Sequence, residues 1–326
     1  MKIALGLGPE PDAVAAFGAQ CGVKHAVGDF SLDPKPGLDI GDPEQPFSQQ
    51  TLARRKTQYE VMGYELAVIE SRPPMEKIKL GQDGRDDEIA VVCEFVRNMG
   101  AAQIPVWCPA WMPVHFVIRT AHDLPTRGGA EVTGFDLEEF NKTHPTGEHG
   151  EITEETQWAN LKYFLERVVP VAEESSVKLG MHPDDPPLSP IQGVARIISS
   201  VDNYQKMIDL VPSPVNGIGL CQGNFGLMTD DLPAVIRHFG EQKKVHFVHF
   251  RDIQGTPEKF EEAFHDAGKH DMAACVRAYR EIGYEGVARP DHFAQLTYEN
   301  FEDEYSMERL YAIGYMRGLI EAVYAE

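Results

Sequence analysis

A chain of 326 residues with 42% hydrophobic content is long enough for one large α/β barrel or two ordinary domains, and it can bury a substantial core. Its 51 Asp and Glu against 30 Lys and Arg give a formal charge of −21, which repels phosphate backbones and leaves no basic stripe for nucleic acid. No apolar run approaches the roughly 20 residues that cross a bilayer, and Gly8-Pro9 breaks the N-terminal apolar stretch before an export segment can form, so no membrane partner and a cytoplasmic location are expected.

Ile3–Leu7 reads as a first strand, followed by a helix over Asp12–Cys21. Lys24–Val27 is a short second strand, and the Pro-, Gly- and Asp-rich stretch from Asp29 to Pro46 carries no element. A helix over Gln49–Met62 leads to a third strand, Leu66–Glu70, halted at Arg72-Pro-Pro. Asp86–Asn98 is amphipathic with acids in its first turn, as the helix dipole favours, and Ile104–Cys108 is a fourth strand. The stretch from Pro109 to about Glu151 is long and irregular, of the kind that forms lids or walls.

From the helix Glu154–Glu174 onward the rhythm is regular. Strands end at His182 and Cys221, the next covers Val245–Phe250, and a brief one covers Gly286–Ala288; the helices between them end with one over Tyr305–Tyr324. A longer loop runs to Lys269 before the helix Asp271–Ile282. Eight strands alternating with eight helices, the strands short and apolar on both faces, predict one (β/α)8 barrel over residues 1–326 with a loop insertion around 109–151.

Four of these strand ends carry metal-ligand chemistry: His182, Cys221, His249 and Asp291. A lone strand-end histidine is usually a core or loop residue, and a free buried cysteine is usually structural. Four such residues at four successive strand ends carry more weight, because strand ends converge in a closed barrel. In Val245–Arg251 the period of two puts Phe247, His249 and Arg251 on one face and His246, Val248 and Phe250 on the other, so His249 is the expected ligand and His246 packs against helices. After Cys221, Gln222-Gly-Asn-Phe-Gly reads as a Gly-rich turn where backbone approaches a ligand.

Two imidazoles, a thiolate and a carboxylate make a complete shell for a divalent transition ion. An octahedral ion would keep two positions open, enough to chelate a hydroxy acid through its carboxylate and neighbouring hydroxyl. The five cysteines lack CxxC spacing, so reduced thiols are expected, with Cys93 and Cys275 in helical core. Gly6-Leu-Gly-Pro lacks the spacing of a dinucleotide site, and neither a phosphate loop nor a nucleophile elbow is present.

The stretches His182-Pro-Asp-Asp-Pro-Pro187, Leu220-Cys-Gln-Gly-Asn224, His249-Phe-Arg-Asp252 and Arg289-Pro-Asp-His292 resemble the motifs of mannonate dehydratases. So do Val68-Ile-Glu-Ser71, Lys77-Ile-Lys-Leu-Gly81, Arg97-Asn-Met-Gly100, Trp111-Met-Pro-Val114 and Arg127-Gly-Gly-Ala130, so the resemblance runs from roughly residue 60 to the C-terminus. It implies a xylose-isomerase-like barrel that dehydrates D-mannonate to 2-keto-3-deoxy-D-gluconate with Mn2+, Fe2+ or another divalent ion held by His182, Cys221, His249 and Asp291. It also implies that His292 and Tyr305 are catalytic, and that the protein is a homo-oligomer. The front departs from the pattern: Ala4-Leu-Gly-Leu-Gly and Lys24-His-Ala-Val-Gly stand where the family carries an aromatic–Arg–Trp type first strand and a longer second-strand region.

β-Elimination needs a base for the C2 proton and an acid for the departing C3 hydroxyl, so His292 and Tyr305 form the candidate acid–base pair, in either order. Asp184, Asp185, Asn224, Arg251 and Arg289 are the candidate substrate contacts. Two other readings remain open: a metal-dependent sugar isomerase or epimerase on the same barrel, and a non-catalytic sugar-acid-binding protein.

Overall fold

Residues 1–144, 150–296 and 307–326 are described by the structure, a computed structural model of the protein. Their strands are β1 (Lys2–Leu7), β2 (His25–Gly28), β3 (Glu65–Ile69), β4 (Val106–Trp107), β5 (Ala121–Pro125), β6 (Glu131–Asp136), β7 (Lys178–Met181), β8 (Asn216–Cys221), β9 (Val245–Phe250), β10 (Ile253–Thr256), β11 (Lys259–Glu262) and β12 (Val287–Pro290). Eight of them close a parallel barrel in the order β1-β12-β9-β8-β7-β4-β3-β2, the architecture predicted from the alternation of strands and helices.

Side-chain alternation decides what fills the barrel. Ala4, Val27, Val68, Val106, Phe247 and Val287 meet in its interior, while Val248 and Phe250 face outward into the core shared with the helices. Gly219 on β8 keeps this interior narrow: a Cβ there would lie 2.8 Å from the carbonyl oxygen of Gly180 and 2.9 Å from the sulfur of Cys108. His246 faces the outer layer as expected, buried against Gly217, where a Cβ would come within 2.5 Å of its Nε2.

Most helices begin where a short polar side chain can accept a free backbone N–H. Asp12, Ser48, Thr153, Ser200, Asp231 and Asp271 each do so for the helices starting at residues 13, 49, 154, 201, 232 and 272. The predicted helix Glu154–Glu174 has those bounds, and helix Arg85–Ala101 packs beside it. Cys93 and Cys275 are buried on helices. The predicted final helix begins within the described residues at Met307. Among the described residues no helix is long and apolar enough to cross a membrane.

Three expectations are corrected. The 109–151 insertion and the stretch from Arg251 to Lys269 are not plain loops: β5 and β6 from the first and β10 and β11 from the second pair into an antiparallel sheet of order β10-β11-β6-β5. Phe260 of β11 stands opposite Phe135 of β6, and these rings pack with Ile118, Phe140 and Ile253 as a small core of their own. Gln222–Met228 is a helix and not a turn. Its glycines give side chains clearance: a Cβ at Gly223 would lie 2.5 Å from Nε of Arg251.

Candidate metal centre

The register of the barrel sets the site. Cys221 ends β8 directly beside His249 on β9, and His249 stands beside Arg289 on β12. Asp291 lies two residues beyond Arg289, and His182 follows the last residue of β7. The result is that a ring nitrogen of His182, the sulfur of Cys221 and a ring nitrogen of His249 all lie within 4.8 Å of one another.

Both imidazoles are held with one nitrogen aimed inward. His182 has Nδ1 2.8 Å from the carbonyl oxygen of Pro183, which fixes Nε2 as the free nitrogen, and that Nε2 is 3.2 Å from Nδ1 of His249. Nε2 of His249 is taken by the carboxylate of Glu70, which leaves Nδ1 toward His182 and 3.4 Å from Oδ2 of Asp291. Arg289 takes the other oxygen, Oδ1, of Asp291 at 2.8 Å and reaches Glu70 at 3.2 Å. His182, Cys221 and His249 therefore face one point, and Asp291 stands beside it, meeting the group through His249.

Charge state favours the same donors. Burial alone would push the Cys221 thiol up, but Arg251, whose Nη1 is 3.4 Å from the sulfur, and both imidazoles outweigh it and bring the pKa down to about 5. A second group, Glu70, Cys108 and His249, also has donor atoms within 4.8 Å of one another. There burial and the charge of Glu70 hold the Cys108 thiol well above its ordinary range, so it is a poor thiolate donor. Asp291 is held well below the usual carboxylate range: burial opposes ionisation, and Arg289, His292 and His249 overcome it. Burial alone would push the His249 imidazole down, but Glu70 and Asp291 outweigh it and raise it to about 10, so an ion bound here would displace a proton from that ring. Two inward-facing ring nitrogens, a thiolate and an ionised carboxylate are the donor types that suit a divalent transition ion.

Beside these donors opens a cavity of about 410 Å³, lined among others by Glu70, Arg72, Cys108, Phe116, His182, Asp185, His249, Arg289, Asp291 and His292, with Cys221 fully buried behind it. Gly6 makes room for Arg289, since a Cβ there would lie 2.5 Å from its Nη1. His292 has φ +48°, a left-handed backbone rarely adopted by non-glycine residues; its Nδ1 is 3.4 Å from Glu262 and its Nε2 3.5 Å from Asp291. Tyr305 lies outside the described residues.

The residues expected to touch substrate divide. Asp185, Arg289 and His292 line the cavity, whereas Asp184, Asn224 and Arg251 are fully buried behind it and brace it. Asp184 accepts from the backbone N–H of Ile198 at 2.8 Å and faces Arg196 at 3.4 Å. Asn224 donates to the carbonyl oxygen of Asp184 and accepts from Arg251. Arg251 bonds Asp185 at 3.1 Å and Glu262 at 2.8 Å, and Arg119 bonds the same two carboxylates at 2.7 and 2.6 Å. Arg119 and Glu262 come from the insertion and from β11, so the antiparallel sheet is tied to the barrel mouth through this buried network. Glu70, Arg72, Arg119 and Glu262 had no role in the sequence reading; the signal for Glu70 was its position at the end of the third predicted strand.

The closed eight-stranded parallel barrel is a xylose-isomerase-like α/β barrel: a xylose isomerase domain protein from Planctomyces limnophilus shares the fold at a TM-score of 0.63 and 12% identity, over 99% of this chain and 98% of that one. The chain belongs to the D-mannonate dehydratase family, whose model matches residues 19–149 and 137–326. It is 35% identical over 295 residues to mannonate dehydratase 2 of Halalkalibacterium halodurans, covering 82% of this chain and 85% of that protein. The crystal structure of mannonate dehydratase from Streptococcus suis serotype 2 superposes with a TM-score of 0.88 at 28% identity, covering all of this chain (100%) and 95% of that one.

Proposed function

We propose that this hydro-lyase removes water from D-mannonate to give 2-keto-3-deoxy-D-gluconate, and that it does so with a divalent ion, Mn2+ or alternatively Fe2+ or another transition ion. The observation that carries this reading is the convergence of His182, Cys221 and His249 donor atoms within 4.8 Å at the mouth of a dehydratase-family barrel, with Asp291 and His292 beside them. His182, Cys221, His249 and Asp291 would hold the ion. Its positive charge would stabilise the negative charge that develops when the proton α to the carboxylate leaves.

His292 stands on the cavity wall next to the carboxylate of Asp291. Burial pushes its imidazole down, against the pull of Glu262, so the ring is neutral near pH 7 and offers one nitrogen to accept a proton and one to donate. With Tyr305 as its partner in the acid–base pair, the C2 proton goes to one group and the C3 hydroxyl leaves as water with a proton from the other. The C2–C3 enol so formed then becomes the 2-keto group. Asp185 holds Arg119 and Arg251 behind the cavity wall, and this buried ion-pair network braces it. On the same reading the activity serves the cytoplasmic breakdown of hexuronates.

The test is incubation of purified, manganese-loaded protein with D-mannonate, with a chelated control, following the product by mass and by a keto-acid colour reaction. Metal-dependent loss of one water is expected. Conservation of mass would mean an isomerase or epimerase, and ligand-induced stabilisation without any product would mean a binding protein.

A further inference from the structure

Three arginines line the cavity, and they are not equivalent. Arg289 is committed to Asp291 and Glu70, and Arg309 to Glu308 and the ring of Phe293. Arg119 and Arg251, behind the wall, are neutralised by Asp185 and Glu262. Among the described residues, Arg72 has no carboxylate within ion-pair distance and no hydrogen-bond acceptor; its guanidinium carbon lies 3.8 Å over the ring of Phe116. Burial pushes its pKa down, which is the cost of keeping such a fork half out of water with nothing bound.

Its mounting is rigid. Arg72 precedes Pro73-Pro74, which confines its backbone to extended conformations. The neighbouring Ser71 accepts the N–H of Phe30 on its hydroxyl at 3.0 Å and the indole N–H of Trp107 on its carbonyl oxygen at 3.1 Å. Stacking on Phe116 holds the guanidinium plane and leaves its edge donors free. A second groove, of about 440 Å³, adjoins the cavity and shares Asp29, Ser71, Arg72 and Phe116 with it. Arg72 therefore stands at the junction of two spaces, a cavity-lining cation that no carboxylate among the described residues meets at ion-pair distance, Glu76 and Glu70 acting on it only from further away.

We infer that Arg72, stacked on Phe116, is the residue that receives the carboxylate of the sugar-acid substrate, and that it sets the preference for an acid over a neutral sugar. This rests on the dehydratase reading. A carboxylate oxygen not engaged elsewhere would accept from the edge N–H donors of this fixed guanidinium, a charge-assisted bond that a neutral amide cannot match.

The experiment compares wild type, Arg72→Gln, Arg72→Lys and Phe116→Leu, each checked for metal content and circular dichroism, with D-mannonate as substrate and the neutral D-mannonamide as competing ligand. Arg72→Gln should raise KM for D-mannonate roughly 10- to 100-fold, while the amide's inhibition constant stays unchanged. Arg72→Lys should be intermediate, and Phe116→Leu should weaken the acid more than the amide. An unchanged KM, or equal losses for acid and amide, would overturn the assignment. Should wild type release no product, calorimetric titration with D-mannonate and D-mannonamide replaces the kinetics. Acid-selective binding lost in Arg72→Gln would then keep Arg72 and overturn only the dehydratase reading, and wild type that prefers neither ligand would overturn both.

Discussion

At the scale of single residues, Glu70 decides which nitrogen of His249 remains available. Its carboxylate occupies Nε2, and Nδ1 is left facing His182 and Asp291. Glu70→Gln keeps the shape and loses the charge, so metal affinity should fall roughly 10- to 100-fold. A competition titration against a chromogenic chelator measures this, and an unchanged affinity would remove Glu70 from the centre. His182, Cys221, His249 and Asp291 were legible in the sequence because each stands where an apolar strand stops. Glu70 stands at such a place too, but its partner lies 179 residues away, and only closure of the barrel brings them together. Folding likewise creates the difference between Arg251, which pairs with Asp185 66 residues away and with Glu262 11 residues away, and Arg72, which has no such pair among the described residues.

At the scale of elements, the antiparallel sheet over the barrel mouth is fastened by charge as well as by its small apolar core. Glu262 ends β11 with its side chain 1% exposed and holds both Arg119 and Arg251. Removing it leaves two buried guanidinium groups with Asp185 alone, so Glu262→Leu should destabilise the fold by about 3–5 kcal/mol. Urea denaturation with metal present reads this, and a loss below about 1 kcal/mol would contradict the role given to the network. The buried glutamate also explains why β11 was invisible in the sequence. In Lys259–Glu262 the inward positions are Phe260 and Glu262, so the alternation that marks a strand is broken by a charge. β5 is an edge strand, mostly exposed and ending in Pro125, with no apolar face to detect. The helix Gln222–Met228 was masked by two glycines, which lower helix propensity and are there for clearance from Arg251 and His270. The barrel strands, by contrast, are apolar on both faces, and their order in the sequence was enough to give the architecture.

At the scale of the whole molecule, the outer layer of the barrel sets an acid limit. Burial, reinforced by Lys178 and Lys244, holds the His246 imidazole down to about 3, far below its ordinary value near 6.5. A histidine whose folded pKa is depressed favours the unfolded chain once that chain can protonate it. Stability is therefore full above pH about 6.5 and falls progressively toward the folded value. The term amounts to about 2 kcal/mol at pH 5. Relative to wild type, His246→Leu should gain about that much between pH 7 and pH 5, measured as unfolding midpoints across the range. Parallel pH curves for the two proteins would contradict this.

The barrel gathers its candidate donors from β8 and β9 and from the residues that follow β3, β7 and β12, and the proposed centre turns on which of two thiols would serve the ion. Cobalt substitution decides it, because a thiolate bound to Co2+ gives a sulfur-to-metal charge-transfer band in the near ultraviolet. The band should appear in wild type and in Cys108→Ser and vanish in Cys221→Ser. Persistence in Cys221→Ser with loss in Cys108→Ser would move the ion to the Glu70, Cys108 and His249 group and contradict the centre described above.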